Sequence, residues 1–180
     1  MKIQSTIFAA VLGFSLIFAS ATNAQERGND SPRVSPNASV SQTIGTTVVT
    51  VTYGRPAVRD REVFGELVPY DEVWRTGANE STVITFSENV EIEGEVLSAG
   101  TYSLYTLPGL DEWSVIFNSK LSWGTQYDPS MDVLRVSVQP HGGEFMEQMM
   151  IYFDDVSEES GQMIIHWDEI RVPIHIEVEN

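Results

Sequence analysis

The sequence predicts an all-β protein: an antiparallel β-sandwich, Greek-key or jelly-roll-like, with one long irregular connection rich in arginine and aromatic residues. Three observations support this. From Thr47 onward, short runs of β-branched and aromatic residues are separated by turn residues every 8 to 15 positions. No apolar 3.6-residue period persists beyond about a dozen residues, which excludes long amphipathic helices. The 180 residues contain no cysteine, so the fold must rest on one hydrophobic core, which a domain of about 150 residues can build.

The chain opens with Met1-Lys2 as a cationic start, Ile7–Phe18 as an apolar stretch, and Ala19-Ser20-Ala21 and Thr22-Asn23-Ala24 as small-residue exits. This is the pattern of a secretory signal peptide over residues 1–24, and its apolar run is shorter than the roughly 20 residues a spanning helix needs. Cleavage after Ala24 is expected, giving a periplasmic or secreted protein with no membrane insertion afterwards. Residues 25–43, rich in Ser, Pro and Asn without an apolar period, read as a flexible N-terminal extension. Residues 44–180 then form a single sandwich domain.

Within that domain the expected strands are Thr47–Tyr53, Ser81–Phe86, Glu88–Ile92, Tyr102–Leu107, Trp113–Asn118, Asp132–Val138, Met149–Phe153, Gln162–Trp167 and Val172–Val178. Asp71–Trp74 reads as one short helical turn. Leu97-Ser98-Ala99-Gly100-Thr101-Tyr102 reads as a tyrosine corner, with the Tyr102 hydroxyl bonding back to upstream backbone. With Glu169-Ile170 as a two-residue turn, Met163, Ile165, Trp167, Val172, Ile174 and Ile176 share one face. Ile164, His166, Asp168, Arg171, His175 and Glu177 then share the other.

Charge narrows the partners. Ten Lys+Arg against 26 Asp+Glu give a formal charge of −16, and loss of Lys2 with the signal makes the remainder more acidic still. Such a surface repels nucleic-acid phosphates and anionic lipid. The pattern carries no signal of oligomeric state.

The expected hairpin would make His166 and His175 diagonal neighbours beside Asp168 and Glu177, a donor set that suits zinc or another divalent ion. The spacing matches no ligand motif, and a solvated polar strand face is the stronger reading. Met146, Met149 and Met150 invite copper(I) in the same way, but strand alternation makes Met149 a core filler. No metal and no cofactor is expected. No nucleophile elbow, paired-histidine zinc helix, phosphate-binding glycine loop or calcium loop is present.

The informative region is Tyr53–Glu80. Beyond Ala24 the cations are eight arginines and Lys120, and four of them, Arg55, Arg59, Arg61 and Arg75, fall within 21 positions. Tyr53, Pro56, Phe64, Tyr70 and Trp74 are interleaved with them, and Asn79 and Glu80 follow. Guanidinium forks beside aromatic faces suit a carboxylate, phosphate, sulfate or acidic sugar. A second reading competes: Asp60, Glu62, Glu66, Asp71, Glu72 and Glu80 lie in the same segment and can pair with the arginines, tying the connection onto the sandwich.

Several of these residues occur in strings: Tyr53-x-Arg55-Pro56, Arg61-x-x-Phe64-Gly65, Pro69-Tyr70, Trp74-Arg75-Thr76-Gly77-Ala78-Asn79-Glu80, Ala99-Gly100-Thr101-Tyr102-Ser103-Leu104 and Trp113. Together they resemble the exported bacterial family of domain of unknown function 2911, over roughly Ser31 to Val178. Where that family often has glycine before the second arginine motif, this chain has Asp60. The resemblance implies secretion and a compact β-rich domain, and carries no established activity, cofactor or catalytic residue.

The expected function is therefore a binding module for a small anionic or polar ligand: an organic acid, a phosphate or an acidic sugar. Arg55, Arg61 and Arg75 would clamp it, Tyr70 and Trp74 would supply faces, and Asn79 and Glu80 would orient the arginines or the ligand. One alternative is a hydrolase with Glu80 or a histidine as general base. The other is an envelope interaction module whose arginines are all paired internally.

Overall fold

The computed structural model describes residues 27, 28 and 30–178. The signal-peptide reading of 1–24 and cleavage after Ala24 lie outside them. Among the described residues, ten strands form two antiparallel sheets. They are β1 (Asn37–Ile44), β2 (Thr47–Gly54), β3 (Thr82–Phe86), β4 (Val90–Ile92), β5 (Glu95–Leu97), β6 (Gly100–Leu107), β7 (Trp113–Asn118), β8 (Asp132–Val138), β9 (His141–Asp154) and β10 (Ser160–Val178). The six-stranded sheet runs β1-β2-β3-β6-β7-β8 and the four-stranded sheet β5-β4-β10-β9. This is the all-β sandwich that the strand pattern predicts. Among the described residues no helix is long and apolar enough to cross a membrane.

Alternation builds the core. On β2, Val49, Val51 and Tyr53 are buried while Val48, Thr50 and Thr52 are not. Val49, Val51, Ile84, Leu104, Val115 and Phe117 of the larger sheet join Met149, Ile151, Met163, Ile165, Ile174 and Ile176 of the smaller one in a single cluster. Burial of each such side chain is worth roughly 1.5–3 kcal/mol over exposure. The tyrosine corner is present: the Tyr102 hydroxyl donates to Ser98 O at 2.8 Å. Gly100 has φ +155°, and a Cβ there would sit 3.3 Å from the Tyr102 hydroxyl oxygen.

Four local expectations are corrected. First, Asn37–Ile44 is a strand, and all of it but Ile44 lies inside the stretch read as a flexible extension. Its alternation of half-buried Ala38, Val40 and Gln42 with exposed Ser39, Ser41 and Thr43 pairs along all of β2, and Ser41 Oγ lies 2.9 Å from Thr50 Oγ1. Polar composition hid that period. Second, no turn divides the last two expected strands; β10 is continuous from Ser160 to Val178. The six apolar residues assigned to one face are all buried, but the switch from odd to even positions between Trp167 and Val172 is absorbed otherwise. Asp168 takes φ +55°, and the pairing with β9 shifts on both sides of it, so a bulge does what a hairpin would have done. Third, β5 is an additional strand and β9 starts eight residues earlier than expected, at His141 rather than Met149. Fourth, Asp71–Trp74 is not helical: Asp71 has φ +59°, and Trp74 forms an isolated bridge with Thr106.

The connection from β2 to β3 closes one end of the sandwich. The Tyr53 hydroxyl accepts from Ile151 N at 2.9 Å, and Arg55 Nε donates to Met149 O at 2.8 Å. Met149 N donates to Pro56 O and Val58 N to Glu147 O, each at 2.9 Å. The connection thereby covers the free edge of β9.

Replacing Tyr102 by Phe removes the corner bond while keeping the ring. Urea unfolding of Tyr102→Phe should show a loss of about 1 kcal/mol; an unchanged midpoint would mean that the corner adds nothing to stability.

Candidate functional site

The connection folds inward because its apolar residues reach the core. Val63 and Val68 belong to the core cluster, and Phe64 meets the rings of Trp74, Trp113 and Trp167 edge-on at 6.2, 5.1 and 6.0 Å. Trp74 stacks on Trp167 at 5.8 Å with 21° between the planes. Its backbone exchanges two hydrogen bonds with Thr106, at 2.7 and 2.9 Å.

From Trp74 to Glu80 nearly every residue is committed to the fold. Thr76 is held at φ +52°, strained for a β-branched residue, by its hydroxyl contact to Thr106 Oγ1 at 3.1 Å and by the Thr82 hydroxyl donating to its carbonyl at 2.6 Å. Gly77 passes so close to Gly54 that a Cβ would lie 2.9 Å from Gly54 O, and a Cβ on Gly54 would lie 2.2 Å from Ala78 O. Ala78 N donates to Gly54 O at 3.2 Å. Asn79, at φ +65°, donates from Nδ2 to Ser35 O at 3.1 Å.

Glu80 is 2% exposed and takes a bidentate fork from Arg33, Nη1 to Oε2 at 2.7 Å and Nη2 to Oε1 at 3.0 Å. Arg27 Nη1 stands 3.6 Å from the same carboxylate, and Arg27 Nη2 donates to Thr52 O at 3.2 Å and to Ser81 O. The Arg33 hydrogen bonds hold the Glu80 carboxyl below the ordinary glutamate range, against the opposing effect of burial. Both arginines lie in the segment read as an extension, which is therefore latched onto the domain.

The arginines of the cluster do not pair with the acids of the cluster. Among the described residues none of Arg55, Arg59, Arg61 and Arg75 forms an ion pair. Arg61 donates to Val58 O at 2.9 Å and Ala57 O at 2.7 Å, and Arg59 Nη2 to Val34 O at 3.2 Å. These side chains reach carbonyl oxygens, not carboxylates, while the Arg59 main-chain N–H donates to Glu147 Oε1 at 3.1 Å. Asp60 adopts φ +55°, the left-handed conformation that glycine favours.

Arg75 is the exception. Its guanidinium has no hydrogen bond or ion pair to any described residue, its Nε is buried, and burial lowers its pKa. Its stem crosses Gly124, where a Cβ would lie 2.0 Å from Arg75 Cδ. Arg59, Arg61, Arg75, Trp74 and Trp167 line one cavity of about 250 Å³, whose remaining walls include Val34, Ser35, Pro56, Leu67 and Ala78. Trp167 Nε1 is a second buried donor without a partner among the described residues.

Of the seven candidate residues, Arg61, Trp74 and Arg75 come together at this cavity; Arg55, Tyr70, Asn79 and Glu80 are not among its lining residues. Arg59, counted in the cluster, belongs with them. Trp167 and the Val34-Ser35 wall are brought in by the bulge of β10, whose change of parity a two-residue turn would satisfy equally, and by the N-terminal latch, which has no local sequence signal.

The histidines lie elsewhere. With β10 continuous, His166 and His175 are not diagonal neighbours: His166 is buried with Nε2 2.8 Å from Glu144 O, and His175 is half-buried with Nε2 3.0 Å from Glu177 Oε1. No group of three or more acids and histidines among the described residues is placed to hold a metal ion. Met149 is fully buried in the core, as its alternation implied.

Residues 35–176 match the family model described as a protein of unknown function (DUF2911), and the chain belongs to that family. No curated protein and no solved structure matches it.

Two stability measurements follow. Glu80→Gln should cost about 2 kcal/mol at neutral pH, less than a fully buried pair because Arg33 is partly exposed. A carboxyl held low in the folded state stabilises above its unfolded pKa of about 4.3, and that contribution is lost as pH falls through the folded value. The gap between wild type and Glu80→Gln should therefore close on acidification; a gap independent of pH would contradict it. Arg75→Met, which keeps the stem and removes a partly buried unpaired charge, should leave denaturant stability unchanged or raised. A loss above about 1 kcal/mol would make Arg75 a structural residue.

Proposed function

We propose that the protein is an exported binding module for a small anionic ligand, held in the cavity between Arg59, Arg61, Arg75 and Trp74. The observation that carries this reading is the unpaired Arg75 guanidinium. In a chain with 26 acids, a partly buried cation with no acidic partner costs folding free energy, and an anion in the adjoining cavity would offset that cost. Thr76, the next residue along the chain from Arg75, is held at φ +52°, and backbone strain of this kind clusters at functional sites.

The same geometry weighs against the two other readings. Glu80 is engaged by Arg33 and Arg27, so it is not available as a general base, and no carboxylate or imidazole lines the cavity. An interaction module with internally paired arginines would leave Arg75 unexplained.

A thermal-shift panel of carboxylates, phosphate, sulfate and acidic sugars tests the proposal. A true ligand at a hundred times its Kd should raise Tm by about 5 °C or more, and Arg75→Ala should abolish the rise. A panel without any rise, or a rise that survives in Arg75→Ala, would overturn it.

A further inference from the structure

Resting on the anion-site reading, we infer that the ligand is an organic monocarboxylate with a flat or compact apolar body, not a phosphate or an acidic sugar. Few main-chain donors of the cavity wall are left for a ligand. The main-chain N–H groups of Arg59, Arg61, Leu67, Val68, Trp74 and Ala78 all donate within the protein, and Pro56 has none. A phosphoryl group is ordinarily cradled by a nest of free backbone N–H groups or a helix N-terminus. At those seven positions no main-chain donor is left over, and the side-chain donors still uncommitted at the cavity are the Arg75 guanidinium and the buried Trp167 Nε1–H.

Those side chains match a carboxylate. Arg75 has its whole fork uncommitted, and a planar guanidinium takes a carboxylate through two parallel hydrogen bonds. Arg59 and Arg61 are exposed and already partly engaged with carbonyls, so they add positive field more than further coordination.

The remaining walls select the body of the ligand. Val34, Pro56, Ala57, Leu67, Val68 and Ala78 are apolar, and the Trp74 indole stacks on Trp167, which lines the cavity too. Ser35 carries the one side-chain hydroxyl among the lining residues, so the several hydroxyls of an acidic sugar would lose water without gaining partners. At about 250 Å³ the cavity lies below the range of drug-sized sites, which limits the ligand to about one ring or a short chain.

Isothermal titration of the folded protein with benzoate, inorganic phosphate and glucuronate decides this. Benzoate should bind at least tenfold more tightly than the other two, and Arg75→Met should weaken it tenfold or more. Arg75→Lys, which keeps the charge without the fork, provides a second variant and should weaken it several-fold. Phosphate or glucuronate binding as tightly as benzoate, with dependence on Arg75, overturns the carboxylate assignment and leaves the anion site standing. Benzoate binding indifferent to both variants, or no binding of any probe up to about 10 mM, overturns the site as well.

Discussion

Where Gly54 meets Gly77 and Ala78, two backbones run closer than any side chain would permit, and that approach decides where the residues from Trp74 to Glu80 go. A methyl group on Gly54 would stand 2.2 Å from Ala78 O. Because the connection is pinned there to the end of β2, Trp74 reaches Trp167 and Thr106 on one side. On the other, Asn79 and Glu80 reach the N-terminal segment through Ser35, Arg33 and Arg27. The sandwich end is closed, and the N-terminal segment is drawn over it to provide the Val34-Ser35 wall of the cavity.

The consequence for electrostatics is uneven. Glu80 is buried but satisfied by two arginines, which makes it structural. Arg75 is one residue away from Trp74 and five from Glu80, yet it is left without a partner. A fold that can neutralise a buried glutamate this thoroughly, in a chain rich in acids, leaves the adjacent guanidinium bare. Local packing explains every other residue of the Trp74–Glu80 string, and the bare charge is what distinguishes a place for a ligand from a well-made closure.

Much of the fold was legible in the sequence because the strands that carry the core are written in β-branched and aromatic residues. Val49, Val51, Val115, Phe117, Ile174 and Ile176 declare both strand and face. Strand β1 was hidden because its inward positions are Ala38, Val40 and Gln42, too weak a period to read. The parity change between Trp167 and Val172 was legible, but a two-residue turn and a bulge satisfy it equally, and only pairing with β9 separates them. The arginine cluster was visible as a count. Its internal division was not: Arg55 and Arg61 spend their donors on carbonyls, Glu80 belongs to Arg33 from a distant segment, and Arg75 alone stays free. Side-chain partners of that kind depend on long-range contacts that composition does not encode.

If Arg75 is an uncommitted guanidinium facing an anion, the proton–nitrogen NMR signals of the arginine Nε–H groups will report it during a benzoate titration. The Arg75 signal should shift saturably, while the Arg55 signal, whose Nε–H is bonded to Met149 O at 2.8 Å, stays in place. An Arg75 signal that remains fixed, or one that moves no more than that of Arg55, would contradict it.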